Sequence, residues 1–183
     1  MKLTTTKLDG VWIVETDVFG DHRGFFTESY NKQKFEEAGI ACEFIQDNHS
    51  YSAEAGTLRG LHYQLAPYAQ TKLIRATAGA IYDVAVDIRQ GSPTYGEWVG
   101  VVLSESNKRQ LLVPKGFAHG FCTLTPHVQV MYKVDQLYSK AHDRGILWSD
   151  PDLGIDWPSS QVVLSDKDKV HPPLREADNN FNL

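Results

Sequence analysis

From residue 71 onward the chain runs as short β-forming segments, and this punctuation constrains its fold more than any other feature. The runs are Thr71–Ala78, Ile81–Ile88, Gly96–Leu103, Gln110–Val113, Phe117–Leu124 and Val128–Leu137, separated by Gly, Pro, Asn and Ser. From Ile81 to Ile88 the residues alternate. Tyr82, Val84, Val86 and Ile88 share one face while Ile81, Asp83, Ala85 and Asp87 share the other, which is the two-residue period of a strand. Gln90-Gly91-Ser92-Pro93 then supplies a turn. Many short strands at such spacing predict a mainly β chain, an antiparallel sandwich or barrel with a few short helices. The one early helix predicted is Lys32–Ala38, with Asn31 as N-cap and Gly39 just past its C-terminus.

No repeat, low-complexity tract or linker divides the 183 residues, so a single domain spanning 1–183 is expected. With 42% hydrophobic residues, including four Trp, eight Tyr and eight Phe, the chain can fill a core and is not intrinsically disordered. Its net charge is −5, from 18 Lys and Arg against 23 Asp and Glu, with no basic block. Binding to a nucleic-acid backbone, which depends on clustered cations, is therefore not expected. Neither a membrane-length apolar stretch nor a signal-peptide core is present, so a soluble, cytoplasmic protein is expected. Cys42 and Cys122 stand alone in apolar company and read as buried free thiols. The last third, about 140–183, is turn-rich and aromatic, and reads as a short helix and a cover over the sheet. After His171-Pro-Pro173 the tail has little visible to pack against, and fraying is expected at its end.

Several polar residues sit where chemistry can use them. Val128, Val130, Tyr132 and Val134 share one strand face, so Tyr132 points inward. That pattern fits a core ring with a bonded hydroxyl, or a general acid in a dry pocket. In Leu58-Arg-Gly-Leu-His62, residues Arg59 and His62 are three apart and should face opposite ways; both reach one cavity only if Gly60 distorts the pleat. His62 fits a structural hydrogen-bonding histidine or a base, and Lys72 a strand-edge cation or an electrostatic stabiliser. Pro114-Lys-Gly-Phe-Ala-His119 has the shape of a second cupin motif, but no His-x-His exists for the first. His119 is therefore read as a polar cavity residue, and no metal site is expected. Arginines at 23, 59 and 75 offer forked donors for an anionic ligand or for ordinary surface ion pairs.

Taken in order, Asp21-His-Arg-Gly-Phe-Phe-Thr-Glu28, Gln46-Asp-Asn-His-Ser50, Leu58-Arg-Gly-Leu-His-Tyr-Gln64, Pro114-Lys-Gly-Phe-Ala-His-Gly-Phe121 and Trp148-Ser-Asp-Pro151 resemble the dTDP-4-dehydrorhamnose 3,5-epimerase family. The resemblance covers nearly the whole chain. It implies a cupin-type jelly roll, no metal or organic cofactor, and a homodimer in which an N-terminal arm, about 1–30, is exchanged. By motif it implies His62 as base, Asp168 as the carboxylate orienting it, Tyr132 as general acid and Lys72 as the cation beside the reacting carbonyl. It places Arg23, Glu28, Gln46, Asn48, Arg59, His119 and Lys167 on the nucleotide sugar, with Tyr138 stacking on the thymine. Arg23 and Glu28 are expected to reach the partner's site. Asp143 stands at a contact where the family more often has Glu.

The implied substrate is a dTDP-4-keto-6-deoxyhexose, acidic at C3 and C5 because both flank the C4 ketone. The expected outcome is inversion at both carbons, giving dTDP-4-dehydro-L-rhamnose. A single-site 3- or 5-epimerase, or a 3,4-ketoisomerase, would use the same fold. A metal cupin is disfavoured by the missing His-x-His, and a non-catalytic binding module by the retention of His62, Tyr132 and Asp168 together.

Overall fold

The β-rich punctuation resolves into thirteen strands in the computed structural model, which describes residues 1–183. They are Lys2–Thr5 (β1), Trp12–Glu15 (β2), Val18–Asp21 (β3), Gly24–Thr27 (β4), Gln46–Ser52 (β5), Leu58–Gln64 (β6) and Lys72–Ala78 (β7). Ala80–Asp87 (β8), Trp98–Ser104 (β9), Gln110–Val113 (β10), Phe117–Thr123 (β11), Val128–Val134 (β12) and Asp143–Gly145 (β13) follow. One antiparallel sheet has the order β1-β2-β10-β7-β12-β5, and a second has β13-β6-β11-β8-β9. Strands adjacent in space are mostly distant in sequence, the connectivity of a jelly roll.

The two sheets face each other across an apolar layer. Ile74, Leu111, Val113, Val128 and Val130 from the first meet Ile81, Ala85, Leu103, Phe117 and Phe121 from the second. Removing each such aliphatic side chain from water is worth about 1.5–3 kcal/mol. The other face of β8, carrying Val84 and Val86, is buried as well, under Ile146, Leu153 and Leu174 of the C-terminal cover. Strand alternation therefore yields two cores from one strand, with Asp83 and Asp87 fully buried on the inter-sheet face.

The helix forms at Lys32–Glu37 (α1), where the Asn31 side chain accepts from the Lys34 backbone N–H at 3.1 Å. Phe35 anchors it on Val14, Leu73 and Leu112, on the outer face of the six-stranded sheet. One structural correction concerns the C-terminal end. The tail does not fray: Gln90 N–H donates to Phe181 O at 2.8 Å, Leu183 N–H donates to Gln90 O at 3.1 Å, and the Asn180 amide exchanges hydrogen bonds with the Ala66 backbone. Phe181 packs on the outer core, which is what holds the segment down. At the other end of the chain, β1 and β2 pair within the six-stranded sheet. Only the β3–β4 hairpin stands apart, with Phe19, Phe25 and Phe26 all more than 60% exposed. Both cysteines are free; Cys122 is buried, but Cys42 only half so.

Candidate active site

β6 and β11 bring His62 and His119 opposite one another, and a register shift follows between His119 and Phe121. The cause is local. Gly60 has φ +115°, and a Cβ there would lie 2.7 Å from both Gly120 Cα and His119 O. Only glycine fits this close approach, and the displaced pleat turns Arg59 and His62 into the same cavity. The required distortion is thus present at the residue expected to provide it. Arg59 is braced by Ser52 Oγ at 3.3 Å and Tyr51 O at 3.0 Å.

The cavity, of about 250 Å³, lies between the two sheets. From the five-stranded sheet come Arg59, His62 and His119; from the six-stranded sheet come Ser50, Lys72 and Tyr132; from the C-terminal cover come Ser165, Lys167 and Asp168. His62 Nε2 meets Asp168 Oδ1 at 2.5 Å. A carboxylate can only accept, so Nε2 donates, which leaves Nδ1 as the ring nitrogen free to exchange a proton. Burial would raise the Asp168 pKa. The hydrogen bond and charge of His62, with help from Ser165 and the Gly60 backbone, instead bring it down to about 2.

Lys72 has no hydrogen-bonding or ion-pair partner in the chain. Burial pulls its ammonium down to about 8, against the opposing pull of Asp143 and Asp83. Tyr132 has an unpartnered hydroxyl whose pKa burial raises, partly offset by the Arg59 charge. A protonated phenol and a cation of lowered pKa in one cavity are the groups that proton transfer beside a carbonyl needs.

The comparisons with known proteins agree with this geometry. The family model described as dTDP-4-dehydrorhamnose 3,5-epimerase matches residues 5–176. The chain belongs to that family. The dTDP-4-dehydrorhamnose 3,5-epimerase of Shigella flexneri is 57% identical over 97% of this chain and 98% of its own. Among solved structures, the Bacillus anthracis epimerase, with TDP and PPi bound, superposes with TM-score 0.92 at 59% identity, covering 94% of this chain and 98% of that one. The Legionella pneumophila 3,5-epimerase, in complex with dTDP-4-keto-L-rhamnose, gives 0.93 at 47% identity, covering 97% and 94%. These likenesses establish the cupin-like jelly roll.

Seven residues expected from the epimerase motifs line the cavity of this family member: Arg59, His62, Lys72, His119, Tyr132, Lys167 and Asp168. Asn48 pairs with Tyr132 across β5 and β12 and shares its face, and Gln46 donates to Asn48 Oδ1 at 2.8 Å. Asp143 accepts from Lys167 Nζ and from the Tyr138 hydroxyl at 3.2 Å, forming a polar chain that leads outward from the cavity wall. Tyr138 itself is 60% exposed, an open ring face. Arg23 and Glu28 do not join them. Arg23 pairs with Asp21 on the projecting hairpin, and Glu28 pairs with Lys34 at 3.0 Å beside α1.

Three neighbours went unread in the sequence. Asp83 Oδ1 meets His119 Nε2 at 2.8 Å, and two acidic residues, Asp83 and Asp87, alternating with Ile81 and Ala85 on one strand face were the available signal. Ser50 lines the wall beside Tyr132. His171 reaches Asp168 from the cover and had no local signal. It fits because Gly145 leaves room: a Cβ there would fall 2.3 Å from the His171 ring. A larger cleft, about 500 Å³, opens between the hairpin and β7, but it contains neither a histidine nor a paired acid and base.

Proposed function

We propose that this protein epimerises C3 and C5 of dTDP-4-dehydro-6-deoxy-D-glucose to give dTDP-4-dehydro-L-rhamnose. His62 serves as base, Asp168 as its orienting carboxylate, Lys72 as stabiliser of the enolate and Tyr132 as acid. The observation that carries this reading is that His62 and Tyr132 project from opposite sheets into one cavity. A sugar ring lying between the sheets has a base against one face and an acid against the other, as inversion requires.

In each half-reaction the C–H bonding pair moves into the ring and the proton goes to His62 Nδ1. The C4 carbonyl becomes an enolate with its charge on O4. Lys72, unpaired and half-buried, can place its ammonium against that oxygen; such preorganised donors are worth about 2.7–4 kcal/mol in the transition state. The Tyr132 hydroxyl then protonates the carbon from the other face, and both groups re-equilibrate with solvent. Asp168 stays ionised and holds the imidazolium. No cofactor takes part, since both hydrogens are acidified by the same ketone.

A cavity of about 250 Å³ matches a hexose rather than a whole nucleotide sugar. The diphosphate and thymine would extend past Arg59, Gln46 and Asn48 toward Lys167, Asp143 and the open ring of Tyr138. Arg23 and Glu28 would complete this outer part from a second subunit. The exposed phenylalanines of the hairpin support such a homodimer, because apolar patches of this kind mark contact surfaces. A cytoplasmic location is part of the same reading; no helix is long and apolar enough to cross a membrane.

The test is NMR of the 4-ketosugar nucleotide in D₂O with purified protein. Deuterium is expected at both C3 and C5, with the L-sugar as product. Exchange at one carbon alone would reduce the activity to a single-site epimerase, and exchange at neither would overturn the reading.

A further inference from the structure

The proposed chemistry uses His62 and Asp168 but gives no role to the third group beside them. His171 Nε2 lies 3.3 Å from Asp168 Oδ1, the same oxygen that meets His62 Nε2 at 2.5 Å. The two imidazoles stand edge to face, their planes 83° apart and their centroids 5.5 Å apart, so both nitrogens converge on one oxygen instead of stacking. All three ligand atoms lie within 4.8 Å of one another. Two imidazole nitrogens and one carboxylate are a common protein donor set for zinc, with metal–ligand distances of about 2.0–2.2 Å. Donors around a tetrahedral ion of that size stand about 3.3 Å apart. The His171–Asp168 spacing of 3.3 Å already has this value, and the His62–Asp168 spacing of 2.5 Å needs to open by about 0.8 Å to reach it.

The surroundings suit an ion. Asp168 and His171 side chains are only 4% and 10% exposed, whereas His62 is 31% exposed and opens into the cavity. That opening provides a route for the metal and a place for a fourth, water ligand. The nearby cation Lys167 is paired with Asp143, which offsets its repulsion. The other pair in the cavity, His119 and Asp83, supplies only two donors.

We propose that His62, Asp168 and His171 form an inhibitory zinc site. Binding takes the Nε2 lone pair of each imidazole. The proton that each nitrogen carried relocates through solvent to Nδ1 of the same ring, so no net proton is released. His62 is then protonated at Nδ1 and has no lone pair left to accept a proton from the sugar. Inhibition rests on the reading of His62 as base; binding does not. Nitrogen donors favour zinc and its transition-metal neighbours over magnesium and calcium.

The experiment is calorimetric titration of the apo protein with ZnCl₂, run beside turnover and D₂O exchange at matched metal concentrations. One zinc ion per chain is expected to bind at micromolar concentration, with exchange at C3 and C5 lost together, recovery on adding chelator, and no effect of MgCl₂. His171→Ala is expected to weaken both zinc binding and zinc inhibition about tenfold or more, each judged against the variant's own metal-free state. Unaltered affinity in folded His171→Ala, or no zinc binding by the wild type, overturns the site. Zinc bound without loss of exchange overturns the inhibition. A second readout uses no variant: on adding zinc, the imidazole ¹⁵N signals of His62 and His171 are expected to shift together while His119 stays put. A shift of His119 instead would place the ion elsewhere. Calorimetry and ¹⁵N shifts remain decisive even if the protein turns over no ketosugar.

Discussion

His62 and His119 face each other across the β6–β11 ladder, yet each is held by a different buried carboxylate, Asp168 for the first and Asp83 for the second. Their carboxylates come from different parts of the fold. Asp83 belongs to the neighbouring strand β8, while Asp168 descends from the C-terminal cover. Only the His62 pair therefore depends on how the cover docks.

Replacing Asp168 by Asn puts an amide against Nε2 and removes the charge that supports the imidazolium. Turnover of Asp168→Asn is expected to fall about 10²–10⁴-fold with little change in KM. Steady-state kinetics on the 4-ketosugar nucleotide checks this, and a change confined to KM would assign Asp168 to binding.

In the proposed mechanism Lys72 acts through its charge, and burial brings its pKa down to about 8. Its pKa lies below that of an ordinary lysine, so the charge is present at neutral pH and is lost as pH rises through about 8. The wild-type rate is expected to decline over that interval. In Lys72→Arg the decline should move to higher pH, and Lys72→Met should lose about 10²–10³-fold at pH 7. A pH–rate profile of the three proteins separates these outcomes.

Tyr132→Phe keeps the ring and removes the proton donor. Net inversion is expected to fall about 10²-fold or more, while solvent exchange, which needs the base, falls less. Comparing deuterium wash-in with product formation measures the difference; equal losses would place the acid elsewhere.

Acid stability should report two buried carboxylates. Burial alone would raise Asp87, but Arg89, Ser92 and Thr94 hydrogen-bond it down to about 2, the value reached also by Asp168. Unfolded aspartate titrates near 3.9. Each group therefore stabilises the fold above about pH 4 and loses that contribution, about 2 kcal/mol, as pH falls toward 2. Urea unfolding from pH 5 down to pH 2 should show this loss, and Asp87→Asn should show a shallower one.

Gly60→Ala tests the bulge. The added methyl meets backbone atoms at 2.7 Å at a φ of +115°, and neither can give way cheaply. A loss of more than about 2 kcal/mol is expected, lowering Tm by roughly 5–8 °C. Thermal unfolding followed by circular dichroism checks it.

Much of this was legible in the residues themselves. Period-two alternation in Ile81–Ile88 marked a strand because each face had to satisfy a separate environment, and Asn31 with Gly39 marked both ends of α1. Gly60 was identifiable as the distortion because Arg59 and His62 could not otherwise share a cavity. The candidate site residues came from family motifs, since no local rule joins His62 to a carboxylate 106 residues later. His171 was invisible for the same reason: its place depends on the cover's path and on the empty space above Gly145. The docked tail was missed because Phe181 and the Asn179 and Asn180 amides find their partners on segments about 90–115 residues earlier, which no local pattern announces.

The long span between His62 and Asp168 also has a temporal meaning. During synthesis the sheets can pair while the carboxylate is still unmade or inside the ribosome, so a nascent chain holds a base with nothing to orient it. In the proposed mechanism, competence waits for the segment that carries Asp168. A chain cut short before Asp168 could still present much of the jelly roll, but with His62 left unoriented.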